Sequence, residues 1–255
     1  MFHSSVARSL PTLMGAACLS FALGADAPQT QGEIAPASKS YLVQARSFTE
    51  ARARVLEVGG DVVRELRIIE AVGAQLTDAE AAELKRSSAI RLMLNGSVST
   101  AGARLKNIQT STADVSAEAP VDTVPEAAFT DLVNAAAVHE AGITGEGVTV
   151  AVLDTGAEPV GDLHLNRAGN SRFKAGYDAM RNRTRNADSD DNGHGTHVTS
   201  IIMNSAVSAS GVPAGIAPNA SLVVVKAFDG DGQGTYLDVI AGLDWILTHR
   251  EEYDI

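Results

Sequence analysis

The sequence predicts an α/β protein in which a small α/β unit precedes a larger domain built on a parallel β-sheet. In residues 41–100, short strand-like runs alternate with two segments that carry helix-capping residues and helical spacing. In residues 131–255, the apolar, β-branched runs 148–153 and 221–227 are separated by segments with helical periodicity. Buried strands that alternate with helices indicate a parallel sheet with crossover helices.

Composition limits the classes of function. The chain has 255 residues, of which 45% are hydrophobic, and is therefore long enough for one or two cores. Its net charge is −11 and it has no basic patch, so nucleic acid is not an expected partner. The single cysteine is Cys18, close to the N-terminus, which excludes a disulfide framework and thiol catalysis in a mature chain that lacks it.

Residues 1–27 have the pattern of a secretory signal peptide. Arg8 precedes a mostly apolar stretch, 10–24, that is too short to span a membrane comfortably, and an A-x-A pattern follows at 25–27. Pro28 is a poor residue after a cleavage point, so cleavage near residue 24 or 25 is also open. Two other interpretations stay open: a buried N-terminal helix, and a weak lipid-attachment pattern at Cys18. We expect a secreted or periplasmic protein without a stable membrane anchor.

Residues 28–40 are predicted to be a linker, and residues 41–100 a separate small unit with the order βαββαβ. Ser47 with Glu50 and Thr77 with Glu80 have the spacing of capping boxes, which mark the starts of two helices. The strand-like segments of this unit are 41–45, 62–69, 71–76 and 90–94.

Residues 101–130 are rich in small and polar residues and contain two prolines, which is typical of an exposed connector open to proteolysis. A helix is then predicted from Asp131 to Glu140, followed by the buried strand 148–153. After the second buried strand, apolar residues recur at helical spacing between Val239 and Leu247.

Two residues in this second region point to chemistry. Asp154 directly follows the apolar run 148–153, and sites in open parallel sheets lie beyond the carboxyl ends of strands. His194 stands between Gly193 and Gly195 at the start of a segment with helical spacing. A buried carboxylate beside a histidine fixes its tautomer and stabilises the imidazolium, as in a Ser-His-Asp triad. Each residue alone also fits an ordinary turn or loop, but the two motifs together indicate an acid and a base.

The chain resembles the subtilisin-like serine protease family, in which acid, base and nucleophile follow in that order. The residues that carry the resemblance are Gly145–Gly156, Asn192–Val198 and Gly215–Ala220, with the pair Asp162-Leu163 after the acid. The resemblance implies that Asp154 is the acid and His194 the base of a peptidase that acts on peptide or protein substrates. It also implies a structural role for His197, packed against the sheet.

The same resemblance assigns a substrate edge and a propeptide. It implies that a peptide adds as a strand along Asp231–Thr235, with Gly232, Gln233 and Gly234 as binding residues; an ordinary Gly-rich loop is the plain alternative. We expect the glycines to let the peptide approach. Residues 41–100 resemble the family's propeptide, which implies an inhibitor and folding chaperone that docks on the peptidase domain.

The chain also departs from the family pattern. Thr199 and Ser200 stand where an Ala-Gly pair is usual, and no serine after His194 has the setting of a nucleophile. The oxyanion Asn is not found either. The sequence is therefore interpreted as the N-terminal part of a peptidase domain, inactive as given, with Glu252–Ile255 as the start of a further strand.

Other interpretations explain less of the sequence. Residues 153–157 have the pattern of an aspartic protease loop, but that chemistry needs two carboxylates and would require a dimer. The chain could instead serve only as an inhibitor or folding module through residues 41–100. A zinc site on His194 and His197 lacks a clear third ligand. No cofactor is required. An acidic loop could bind structural calcium through Asp188, Asp190 and Asp191, although a loop of this kind is also typical of a solvated surface.

Overall fold

The computed structural model describes residues 37–101, 128–185 and 189–255, which all lie in one compact unit, 36–255. The expected signal peptide 1–27, Cys18, Asp188 and most of the connector fall outside the described residues. The strands are β1 (Ser38–Gln44), β2 (Asp61–Leu66), β3 (Ala71–Thr77), β4 (Arg91–Leu94), β5 (Ser97–Ser99), β6 (Thr149–Asp154), β7 (Phe173–Asp178), β8 (Arg183–Arg185), β9 (Ser221–Lys226) and β10 (Gln233–Thr235). The helices are α1 (Phe48–Glu57), α2 (Asp78–Leu84), α3 (Ala128–Leu132), α4 (Ala135–Glu140), α5 (His194–Met203) and α6 (Tyr236–Tyr253).

Residues 37–101, which we call the N-terminal module, follow the predicted βαββαβ order from β1 to β4, and β5 comes after it. Four strands form an antiparallel sheet in the order β2-β3-β1-β4. Alternate side chains of β1 face opposite sides of this sheet: Tyr41 and Val43 pack with α1 and α2, whereas Leu42 points to the other side. The module therefore has a core of its own beneath its two helices.

The capping residues begin both helices of the module, but in different ways. Thr77 and Glu80 form the complete predicted capping box at α2. At α1, Ser47 accepts a hydrogen bond from Glu50 N, while Glu70 instead accepts one from Phe48 N at 2.9 Å. Glu70 has a left-handed backbone (φ 53°) after the turn Arg67–Ile69, so the predicted strand 62–69 ends early, at Leu66.

The second region is built on the predicted parallel sheet. β6 and β7 both pair in parallel with β9, and β8 pairs antiparallel with β7, giving the order β6-β9-β7-β8. Leu222 and Val224 of β9 face α5, while Val223 and Val225 face α6. The helices thus cover opposite faces of the sheet, and both Asp154 and Lys226 lie at its carboxyl edge.

The N-terminal module packs directly on the second region. The face of its sheet that points away from α1 and α2 contributes Leu42, Leu66 and Ala71 to one buried cluster with Leu237 and Ala241 of α6. The two regions therefore share an apolar contact centred on α6.

Several expected elements differ. β1 begins at Ser38, inside the predicted linker. The helix predicted at 131–140 is two short helices, α3 and α4, because Asn134 adopts a left-handed conformation (φ 55°). The expectation of a strand start at Glu252–Ile255 is wrong: α6 continues to Tyr253, whose ring stacks on Trp245.

Among the helices of residues 37–101, 128–185 and 189–255, none is both long and apolar enough to cross a membrane.

Candidate active site

Asp154 and His194 are in direct contact. The His194 ring nitrogen Nδ1 lies 2.7 Å from Asp154 Oδ1 and 2.9 Å from Oδ2. The Asp154 side chain is only 12% exposed, against 27% for His194, so the carboxylate is largely shielded while the ring reaches the surface. In this geometry the carboxylate can hold the Nδ1–H tautomer, which leaves Nε2 available as a proton acceptor.

The local structure fixes Asp154 at the end of β6. Its backbone carbonyl accepts hydrogen bonds from Ala227 N and Phe228 N, which tie the end of β6 to the chain that follows β9. Its Oδ1 also accepts a hydrogen bond from Thr155 N at 2.7 Å. The carboxylate therefore has partners on both sides and a restricted orientation.

His194 is the first residue of α5, and glycines allow α5 to approach the turn after β6. Gly193 has a positive φ of 96°. A Cβ on Gly195 would overlap Gly156 O and lie 3.1 Å from Asp154 Cβ. Only glycine at position 195 lets the helix start this close to the acid.

A second layer of polar groups joins the loop before α5 to the turn after Asp154. Asp190 accepts hydrogen bonds from Thr155 Oγ1 at 2.7 Å and from Thr196 N and Oγ1 at 2.8 and 2.7 Å. Burial opposes the charge of this carboxyl group, but hydrogen bonds from Thr196, Gly193 and Thr155 outweigh that effect and lower its pKa to about 2.

The buried Lys226 forms a further link. Its Nζ donates to Thr155 O and to Asp191 Oδ1, both at 2.5 Å. The hydrogen bond from Lys226 lowers the pKa of Asp191. One ammonium group at the end of β9 therefore connects the acid turn with the loop that leads to His194.

These contacts bear on the proposed metal sites. In the described residues, Asp190 and Asp191 accept hydrogen bonds from N–H, hydroxyl and ammonium groups of the protein. These donors stabilise the two carboxylates as anions, and the N–H and ammonium groups among them cannot coordinate a cation. No group of three or more His, Cys, Asp or Glu in the described part of the chain is arranged to hold a metal ion. For zinc, Nδ1 of His194 is already occupied by Asp154.

His197 does not lie where it was expected. Its side chain is exposed on α5 and does not pack against the sheet. The helical register explains the difference, because α5 buries Gly195, Thr199 and Met203, four residues apart, and turns position 197 outward. Thr199, one of the departures from the family pattern, is fully buried.

Gly232, Gln233 and Gly234 lie along a short edge beside this site. Gly232 has a positive φ of 71°, and a Cβ on Gly234 would overlap Ala227 O. These glycines are thus required by the chain's own backbone. The loop before the edge is tied to the base loop, since Asn192 Nδ2 donates to Gly230 O at 3.0 Å.

The edge carries a strand from the N-terminal module. β5 pairs antiparallel with β10, with Val98 opposite Gly234, and Thr100 N donates to Gly232 O at 2.9 Å. From Val98 to Thr100, the chain follows the edge from Gly234 to Gly232, in the direction of the loop that contacts Asn192. The sequence did not predict β5, because a three-residue polar strand has no periodicity to detect.

Comparisons with known proteins identify this region. The model of the subtilase family matches residues 145–254, which include Asp154, His194 and the whole of β10. Residues 145–254 are therefore similar in sequence to the subtilase family, and the relatives that match this region are subtilisin-like serine proteases.

Two relatives show how far the similarity extends. Serine protease AprX of Bacillus subtilis is 40% identical over 110 residues, which is 43% of this chain and 23% of that protein. The thermostable alkaline protease of Halalkalibacterium halodurans is 31% identical over 193 residues, 74% of this chain and 44% of that protein. The second similarity extends beyond the subtilase segment into the rest of the chain. In both cases the chain spans less than half the length of the relative.

A solved structure supports the fold. Fervidolysin from Fervidobacterium pennivorans, described as a keratinolytic enzyme related to subtilisin, superposes with a TM-score of 0.53 over 84% of this chain and 34% of the other. At 21% identity this similarity concerns the fold, and it agrees with the mixed α/β architecture and parallel sheet described above.

Proposed function

We propose that this chain belongs to the precursor of a secreted serine endopeptidase, in which Asp154 is the acid and His194 the base of an Asp-His-Ser triad. The observation that carries the proposal is the contact of His194 Nδ1 with both oxygens of Asp154, at 2.7 and 2.9 Å. The N-terminal pattern at residues 1–27 supports secretion.

The proposed chemistry assigns separate tasks to the two residues. Nε2 of His194 takes the proton from the serine nucleophile as it attacks the peptide carbonyl, and later gives that proton to the leaving amine. Asp154 keeps the ring in the correct tautomer and stabilises the imidazolium. The largely buried setting of Asp154 suits this role, because a shielded carboxylate interacts more strongly with the charge that develops on the ring.

The substrate is proposed to be a peptide or protein that adds as a strand to Gly232, Gln233 and Gly234. β5 supports this assignment, since an extended segment already pairs with that edge. We further propose that residues 41–100 are the propeptide and that β5 occupies the edge in the precursor. Thr100 is buried and Val98 half-buried, whereas Ser97 and Ser99 are exposed, so alternate side chains would be held against the peptidase.

Substitutions in the full-length protein test the triad. His194→Ala should abolish precursor cleavage and peptidase activity on a chromogenic peptide, and Asp154→Asn should lower turnover by about 10⁴-fold because the wrong tautomer is favoured. His197→Ala is the matched control, since it removes an exposed histidine one turn along the same helix and should leave activity unchanged. Normal cleavage and turnover in purified His194→Ala protein would contradict the assignment of the base.

A second function has support of its own. Residues 37–101 have a separate core and place β5 on the edge, so the module is also proposed to inhibit related subtilisin-like proteases when supplied in trans. The test adds residues 37–101 as a separate polypeptide, in which β5 is not already paired with β10, to an active subtilisin-like protease. Inhibition that is lost when Val98 is replaced by Asp would support this role, and unchanged protease activity would reject it.

A further inference from the structure

The N-terminus of α5, where His194 lies, is capped in an unusual way. Its N-cap residue is Gly193, which has no side chain, yet the first N–H groups of a helix need acceptors. Side chains from outside the helix supply them: His194 N donates to Asn192 Oδ1, Gly195 N to Thr155 Oγ1 and Thr196 N to Asp190 Oδ2.

Asp190 is the centre of this arrangement. Its Oδ2 accepts from Thr196 N and Oγ1, as described above, and its Oδ1 accepts from Thr155 Oγ1, from Gly193 N at 2.9 Å and from Asn192 N at 3.2 Å. Thr155 Oγ1 in turn accepts from Gly195 N at 2.9 Å. A chain of hydrogen bonds therefore runs from the residue after the acid, through Asp190, to both sides of the base.

We propose that Asp190 is a positioning residue of the peptidase, which locks the turn after Asp154 to the N-terminus of α5 and so sets the Asp154–His194 contact. The proposal rests on the proposed function insofar as that contact serves catalysis. Asp190 acts on the Asp154–His194 pair through Thr155 and through the backbone around His194. Its negative charge also lies at the positive end of α5, where it is favourable.

The hydrogen bonds explain why a carboxylate is needed at position 190. Backbone N–H groups point at both of its oxygens: those of Asn192 and Gly193 at Oδ1 and that of Thr196 at Oδ2. An asparagine in either orientation would turn its NH₂ group toward at least one of these N–H groups, and two donors cannot bond to each other. Asp190→Asn therefore keeps the shape of the side chain but breaks one side of the link.

Asp190→Asn is tested in the full chain by proton NMR with ¹⁵N-labelled histidine, where the Nδ1–H of a histidine bonded to a carboxylate gives a far-downfield signal. The signal is assigned to His194 by its loss in Asp154→Asn. We expect it to weaken or disappear in Asp190→Asn. In the full-length protease, kcat should fall by about 10²-fold, because a small misplacement of catalytic groups has an effect of this size, with little change in KM.

Asp178→Asn is the matched control. Asp178 is a fully buried carboxylate at the end of β7 that accepts from Arg181 N and pairs with the Arg181 side chain, and these bonds hold the turn between β7 and β8. It should lower the melting temperature while the His194 signal and kcat stay as in the unmodified protein. If Asp190→Asn behaves in the same way, Asp190 is merely structural and the proposal is overturned.

Thr155→Val provides an independent test if Asp190→Asn fails to fold. It removes one buried hydroxyl from the same chain of hydrogen bonds with almost no change of shape, and should shift the His194 signal in the same direction by a smaller amount. An unshifted signal in Thr155→Val would overturn the proposal. Because the NMR measurement needs no turnover, the two proposals can fail separately: an inactive full-length protease in which the signal is present would reject the proposed function, while the effect of Asp190→Asn on the signal would still decide this inference.

Discussion

At the scale of single residues, Arg172 shows that a buried cation can organise loops through backbone carbonyl groups. Its side chain is fully buried and its guanidinium donates to backbone oxygens of Asp162, Leu165, Pro218 and Ala220. Burial lowers the pKa of this guanidinium, partly offset by the charge of Asp162. Four carbonyl groups from two separate loops thus converge on one side chain.

Replacing Arg172 with Met should strongly destabilise the protein. Met fills much of the same volume but donates no hydrogen bond. Asp162 O and Leu165 O keep Ser205 as a donor, whereas Pro218 O and Ala220 O lose the donor that Arg172 supplies, at a cost of about 1–3 kcal/mol each. We expect a loss of at least about 2 kcal/mol in the free energy of unfolding, measured by urea denaturation. Arg250→Met is the control, because Arg250 pairs with Glu251 on the surface and such pairs contribute at most about 1 kcal/mol. Equal losses in the two variants would contradict the role given to Arg172.

Asp190 should make stability depend on pH in a defined acid range. Its pKa falls from the ordinary 3.8 to about 2 in the folded protein, so the folded state favours the charged form. The stabilisation is complete above pH 3.8 and is lost as the pH falls toward 2. Unfolding free energies measured between pH 5 and pH 2 should therefore fall less steeply in Asp190→Asn than in the unmodified protein. Parallel curves would show that this carboxyl group is not preferentially ionised in the folded state.

The sequence predicts the identities of Asp154 and His194 but not the residues that hold them. The spacing of the two motifs places one residue at a strand end and the other at a helix start, and the structure brings them into contact. Asp190 and Thr155 lie in the same motifs, yet their link depends on how two loops pack, which no local pattern encodes. For Asp190 the sequence offers a solvated acidic loop or a calcium ligand, because charge is visible in a sequence and hydrogen-bond direction is not.

At the scale of elements, long periodic segments were predictable and short ones were not. β6, β9 and α6 follow from buried runs and helical spacing, and their order gives the parallel sheet. β5 and β8 have three residues each and depend on a partner strand for their structure. β5 is the more consequential of the two, because it forms only where the edge at Gln233–Thr235 receives it.

The two sides of β5 should respond differently to the same charge. Val98 is half-buried opposite Gly234, whereas Ser99 is exposed, so Val98→Asp places a carboxylate against the edge and Ser99→Asp places it in solvent. Hydrogen–deuterium exchange of the amides of Thr100 and Tyr236, which donate across this pairing to Gly232 O and Gly96 O, should become faster in Val98→Asp and stay nearly unchanged in Ser99→Asp. Equal exchange rates in the two variants would mean that β5 is not held in this register.

At the scale of the whole molecule, the two regions are joined by contacts of different kinds on one helix. The apolar cluster on α6 lies beside polar contacts at its N-terminus, where Tyr236 N donates to Gly96 O and Leu237 N to Asn95 Oδ1. Further along the helix, Asp244 accepts from Ile68 N at 2.6 Å. α6 therefore depends on the N-terminal module both for burial of its apolar side and for acceptors at its first turn.

This arrangement predicts that disrupting the apolar contact on α6 separates the folding of the two regions. Ala241 is 3% exposed in the shared cluster, so Ala241→Glu would bury a charge without a partner and push the module away. Leu247→Glu puts the same side chain at a position of α6 that is 45% exposed, and serves as the control. By calorimetry, Ala241→Glu should split or broaden the unfolding transition while Leu247→Glu keeps its shape, and the amide of Ile68 should exchange faster only in Ala241→Glu. A single sharp transition and a protected Ile68 amide in Ala241→Glu would show that the polar contacts at Tyr236, Leu237 and Asp244 are sufficient to hold the module in place.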